Sequence, residues 1–182
     1  MNERALAARV GEAMFAADRA TRDFMRMELV SCEPGRAVLR MVVREAMLNG
    51  HDICHGGLIF ALADSTFAYA CNSRNKATVA SGCSIEFLKP GRRGDVLTCE
   101  GAEQVLKGRH GIYDMKVSNQ AGEVVAMFRG RSTQVQGSVI PLPSVREAAG
   151  PSPGSGQPDG LLLPLPQGEG GGEGHQRTKP SP

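Results

Sequence analysis

The stretch from Asn49 to Thr66, NGHDICHGGLIFALADST, gathers residue types that can do acyl chemistry. An amide (Asn49), two histidines (His51, His55) and a glycine pair (Gly56, Gly57) precede an apolar run that carries one acid, Asp64. A helix starting at the glycines presents unpaired N–H groups and a partial positive charge. Glycine lets a ligand approach those N–H groups closely. Such a terminus can bind a carbonyl oxygen and stabilise the negative charge that grows on it during attack. A carboxylate held in apolar surroundings is costly, so a chain that keeps one there has a use for it. Asp64 can activate a water as general base or attack directly as nucleophile, and the residues leave both routes open.

Spacing adds a constraint. Asp64 follows Gly57 by seven residues, about 10 Å along a helix rising about 1.5 Å per residue. A base has to stand within about 3 Å of the reacting atoms or of one water. One helix therefore does not set both groups on one carbonyl. Two helices, side by side and antiparallel, bring Gly57 of one subunit to Asp64 of the other. The expectation is a homodimer with two shared sites. Thr66, two residues past Asp64, is expected to help hold the water.

The flanking elements follow from periodicity. Leu6, Val10, Met14 and Ala17 recur at helical spacing over 3–18. Strands are expected at 24–31 and 36–44, joined by a turn at EPG. GLIFALADSTFAYAC is apolar round nearly its whole circumference, which predicts a fully buried helix over 56–72. Strands at 77–89, 95–107, 111–118 and 123–136 follow, separated by KPGRRGD, KGRHG and NQAG. The order helix, two strands, buried helix, four strands suits an α+β domain. A curved antiparallel sheet wraps around one central buried helix, which is the hotdog fold.

NGHDICHGGLIFALADSTFAYACN resembles the helix signature of acyl-CoA thioesterases of the phenylacetic-acid-degradation type, the PaaI type. VASGCSIEFLKPGRRGD and GIYDMKVSNQAGEVVAMFRGRS resemble the strands that follow it in that family, and the likeness runs over about residues 10–136. It implies hydrolysis of an aryl-acetyl-CoA, phenylacetyl or hydroxyphenylacetyl, to free acid and CoA, without a cofactor. It implies that the acid comes from the opposing subunit and that dimers pair into a homotetramer. Asn49 would orient the water or the thioester. His55 would bond near the thioester or fix the loop, and Gly56 would border the substrate. Arg92 and Arg93 fit the family's basic turn and are the leading candidates for the CoA phosphates. Lys107, Arg109, Arg129 and Arg131 are further turn cations. Leu58, Phe60 or Phe67 would line the acyl pocket.

Other readings stay in view. The substrate can be a medium-chain acyl-CoA or another aromatic thioester. A hotdog dehydratase needs a histidine on the helix body, and none follows Leu58 there. A non-catalytic acyl-CoA binder has little use for Asp64. His51, Cys54 and His55 are metal-ligand types, but no second ligand pair exists at usual spacing, so no metal is expected. The five cysteines include no C-x-x-C pair, and no apolar leader or membrane-length apolar run is visible. A reduced, cytoplasmic protein is expected, with no membrane partner. Net charge is only +2 and Trp is absent, which gives no reason to expect nucleic acid. Residues 1–137 suit one domain. Residues 138–182 are rich in Pro and Gly without hydrophobic period, and are expected to be a low-complexity tail.

Overall fold

The computed structural model describes residues 1–141. The tail expected over 138–182 lies outside them except for its first residues. There, Ile140 N–H donates to Asn75 Oδ1 at 2.8 Å, and Asn75 Nδ2 returns a bond to Ile140 O.

Helix α1 spans Glu3–Ala17 and starts where Asn2 Oδ1 accepts the Ala5 N–H. That is the N-cap bond such a helix needs. A π-helical turn follows at Ala20–Phe24. Asp18 fixes it by accepting from the Thr21 N–H at 3.0 Å and hydroxyl at 2.6 Å. This turn takes the residues expected to open the first strand, so β1 begins only at Glu28 and runs to Glu33. The remaining strands are β2 Arg36–Val42, β3 Thr78–Phe87, β4 Val96–Lys107, β5 His110–Ser118 and β6 Val124–Gln134.

All six strands form one antiparallel sheet in the order β1-β2-β4-β5-β6-β3. Strand alternation is regular where the sheet faces the core. On β2, Ala37, Leu39 and Met41 are buried while Arg36 and Arg40 face out. On β5, Tyr113, Met115 and Val117 do the same against Asp114 and Lys116. Helix α2, Gly56–Asn72, crosses the inner face, with Leu62, Ala63, Phe67 and Ala70 in the core.

The sheet does not enclose α2 all round. Gly57 is exposed, and Leu58, Ala61, Asp64, Ser65 and Ala68 are half-buried. These positions form a continuous stripe along one side of the helix. Its composition explains why the sequence reads as fully apolar: small residues fill the stripe, so the hydrophobic period is weak although one side is open. On one flank of the stripe the Thr21 hydroxyl lies 3.2 Å from that of Ser65. Among the described residues, β3 has no fully buried residue and no strand beyond it.

Candidate active site

The site is built at the start of α2. Asn49 N–H donates to Ile53 O and Asp52 N–H to Asn49 O, with Asp52 in a left-handed conformation. This tight turn carries His51 out into solvent. Asn49 Oδ1 accepts the His51 N–H at 2.9 Å, while its Nδ2 has no partner among the described residues. Cys54 N–H donates to Gly91 O at 2.8 Å and pins the β3–β4 connection against the start of α2.

His55 is the N-cap. Its Nδ1 accepts the Gly57 N–H at 3.0 Å, and its carbonyl accepts from Leu58. Nδ1 is therefore the unprotonated ring nitrogen. The Gly57 N–H, expected to polarise a carbonyl, is thus the one already engaged. The Gly56 N–H, one residue earlier, has no acceptor among the described residues. Gly56 borders a cavity of about 380 Å³ with Asn49, Ile53, Ile59, Phe87 and Leu88. A Cβ at Gly56 would lie 3.2 Å from the Phe87 ring, so a larger residue would crowd this wall.

Phe87 and Leu88 were not foreseen as site residues. Phe87 ends β3 and Leu88 follows it, and only the fold brings them over the helix terminus. Their signal is exposure: both are large, apolar and more than half exposed, at 51% and 58%.

Asp64 is half-buried, with no hydrogen bond or ion pair among the described residues. Burial raises its carboxyl above the ordinary carboxylate range. Burial, with a smaller contribution from the Asp64 charge, raises the thiols of Cys71, to about 12, and Cys83 of β3. The structure brings Asn49 and Gly56 together at the cavity, with His55 beside them as the cap and outside its lining. Asp64 lies further along the stripe, outside the cavity lining.

Other expected residues fall elsewhere. Thr66 does not face the stripe: it is wholly buried and its hydroxyl donates to Leu62 O at 2.7 Å. Two residues turn a helix by about 200°, which carries Thr66 to the sheet side. Phe67 is 1% exposed and belongs to the core, while Leu58 and Phe60 are half-buried. Arg92 and Arg93 are exposed beside a cleft that includes Glu45 and Asp52, and Arg93 pairs with Glu45 at 2.5 Å. Lys107 ends β4, whose other end adjoins that turn, roughly 35 Å away at about 3.3 Å per residue. A single chain does not bring Lys107 to this site. Arg129 is held by Asp114 at 2.6 Å. Among the described residues, no group of three or more His, Cys, Asp or Glu is placed to hold a metal ion. Burial pushes the Cys54 thiol up to about 11. No helix among these residues is long and apolar enough to cross a membrane.

Comparison with known proteins bears on this geometry. Residues 51–126 match the family model described as the thioesterase superfamily. The chain is 46% identical to Acyl-coenzyme A thioesterase PaaI of Escherichia coli over 113 residues, which cover 62% of this chain and 81% of that protein. The solved structure of the E. coli PaaI protein from the phenylacetic acid degradation operon matches with a TM-score of 0.73 and 42% identity, covering 75% of this chain and 99% of that one. A Streptococcus mutans protein solved bound to acetyl CoA matches with a TM-score of 0.60 and 29% identity, covering 64% and 94%. With the fold, the helix-terminal cavity and this identity in agreement, the chain belongs to the thioesterase superfamily, as a hotdog-fold acyl-CoA thioesterase of the PaaI type.

Proposed function

We propose that this thioesterase hydrolyses aryl-acetyl thioesters, phenylacetyl- or hydroxyphenylacetyl-CoA, at sites shared between two subunits. The observation that carries the reading is the position of Asp64. It is an acid without a partner among the described residues, on the same open stripe as the helix terminus. A second copy with its α2 antiparallel covers that stripe and brings its own helix terminus to Asp64. Dimers of this kind then pair into a homotetramer.

The thioester carbonyl lies on the Gly56 N–H, the donor that the cap leaves open, with Asn49 Nδ2 beside it. Asp64 of the other subunit takes a proton from water as the water oxygen bonds to the carbonyl carbon. Negative charge collects on the carbonyl oxygen and is held by the helix terminus. The C–S bond then breaks and CoA leaves as the thiol after regaining a proton. Direct attack by Asp64 gives an anhydride that water opens to the same products. His55 supports this by fixing the terminus. Arg92, exposed and without a side-chain partner among the described residues, takes a CoA phosphate, while Arg93 pairs with Glu45.

Support for the CoA part comes from the acetyl CoA in the S. mutans relative, and for the aryl part from the operon named for the E. coli one. Five free cysteines suit a reducing cytoplasm. The test is kcat/KM across phenylacetyl-, hydroxyphenylacetyl-, hydroxybenzoyl- and medium-chain acyl-CoA, for wild type and Asp64→Asn. The expected result is an aryl-acetyl thioester as best substrate and a loss of roughly 100-fold or more in the variant. A best substrate without a ring rejects the aryl preference, and a fully active variant rejects the role of Asp64.

A further inference from the structure

Asp64 stands between two aromatic residues of its own helix, Phe60 four residues before it and Phe67 three after. Such spacings place neighbours on successive turns. Both rings are seated on the sheet. Phe60 meets Phe128 of β6 edge-on, with centroids 5.5 Å apart. Phe67 meets Phe128 at 5.9 Å and Tyr113 of β5 at 5.4 Å.

Two residues past Phe128, on the same inner face, is Gly130. A Cβ there would lie 2.8, 2.8 and 2.9 Å from three atoms of the Phe67 ring. The Phe67 ring therefore packs onto bare backbone, and no side chain fits beneath it. Gly130 pairs with Tyr113 on one side and with Cys83 on the other. These three form one row across the inner face, and Cys83 is a thiol that feels the Asp64 charge.

We propose that Gly130 is a positioning residue for Asp64: its bare backbone seats Phe67, and that seat sets the height and roll of α2 that hold the carboxylate on the open stripe. The inference rests on the reading of Asp64 as the reacting acid. A methyl group at 130 has to lift Phe67, and Asp64, one turn away on the same helix, moves with it. Interiors pack densely and transmit such shifts rather than absorbing them. A glycine that served packing alone would affect melting and leave the chemical step unchanged.

The test uses the full-length oligomer and compares wild type, Gly130→Ala, Phe67→Leu and the double variant, with Asp64→Asn alongside. Gly130→Ala is expected to lower kcat by roughly 10-fold or more while KM stays within about twofold, because small misplacements of a reacting group are costly. The smaller leucine makes room for the added methyl, so the double variant recovers most of the kcat that Gly130→Ala loses. The Asp64 carboxyl, followed by carbon NMR, titrates at a different pH in Gly130→Ala than in wild type.

An assembled Gly130→Ala with wild-type kcat overturns the proposal, as does a double variant no better than Gly130→Ala. If Gly130→Ala does not assemble, Phe67→Leu decides. Lower kcat at unchanged KM supports the seat, and wild-type kcat rejects it. Asp64→Asn separates the two levels. Full activity there defeats the role of Asp64 itself. An inactive Asp64→Asn beside an active Gly130→Ala defeats only the positioning role.

Discussion

The two edges of the sheet are finished in different ways. At β1 the chain packs its own helix α1 against the edge strand. Helix α1 packs so closely there that a Cβ on Gly11 would come within 2.6 Å of Cys32 Cβ. Glu28 and Glu33 carry charge along that strand, opposite Arg40 and Arg4. At β3 no residue is fully buried, and Val79 and Phe87 are each about half exposed, at 50% and 51%. An open apolar edge invites pairing with another chain. One edge strand is thus backed by a helix, and among the described residues the other shows no such burial. The proposed site, shared between two subunits, gives a reason for that edge to stay uncovered.

One matched pair of substitutions tests the contrast and should give the largest effect. Val30 on β1 and Val79 on β3 are similarly exposed, at 45% and 50%. Val79→Lys is expected to dissociate the oligomer at micromolar concentration and to lower turnover by roughly 100-fold, because lysine on an edge opposes strand pairing. Val30→Lys should leave both nearly as in wild type. Sedimentation and thiol-release assays on the two variants read the outcome. Equal behaviour of the two removes the distinction between the edges.

A second test sets two acids apart. Burial raises Asp64 on the inner stripe, whereas the Arg129 guanidinium lowers Asp114 on the outer face. The signs are opposite. A raised carboxyl contributes stability below its unfolded value near 3.9 and loses it as pH climbs through the folded value; a lowered one contributes above 3.9 and loses it as pH falls. Asp64→Asn is therefore expected to gain on wild type as pH rises above about 4, whereas the deficit of Asp114→Asn is full above about 4 and shrinks as pH falls below it. Urea midpoints against pH measure this. In activity, the proposed role of Asp64 requires its ionised form, so the acid limb of kcat/KM should lie above the ordinary carboxylate range.

Much of this was legible in the chain because it depends on local pattern. The α2 run, the alternation on β2 and β5 and the lone acid in apolar sequence are all short-range features. What escaped depends on tertiary contact. The π-helical turn at Ala20–Phe24 is fixed by Asp18 and lies against Ser65, 44 residues later than Thr21. Phe87 and Leu88 reach the helix terminus through β3–β6 pairing and the Cys54–Gly91 bond, both contacts between residues far apart in sequence. The role of Thr66 was within reach of simple helix geometry, since a step of two residues faces away from Asp64.

The smallest effect concerns His55, where the open and closed parts of the helix terminus meet. Its Nδ1 engages the Gly57 N–H and leaves the Gly56 N–H open. His55→Ala removes the cap bond, which should cost about 1 kcal/mol. For a domain of this size that lowers Tm by about 3 to 6 °C. Asparagine is a favoured N-cap, so His55→Asn is expected to restore most of that loss. Turnover should change by less than about tenfold in both, because the Gly56 donor is untouched and one oxyanion donor alone accounts for about 100-fold or more. If His55→Ala instead matches the loss in Asp64→Asn while keeping its Tm, the imidazole acts on the substrate rather than on the helix. The assignment of His55 as a cap would then give way to a direct role in the reaction.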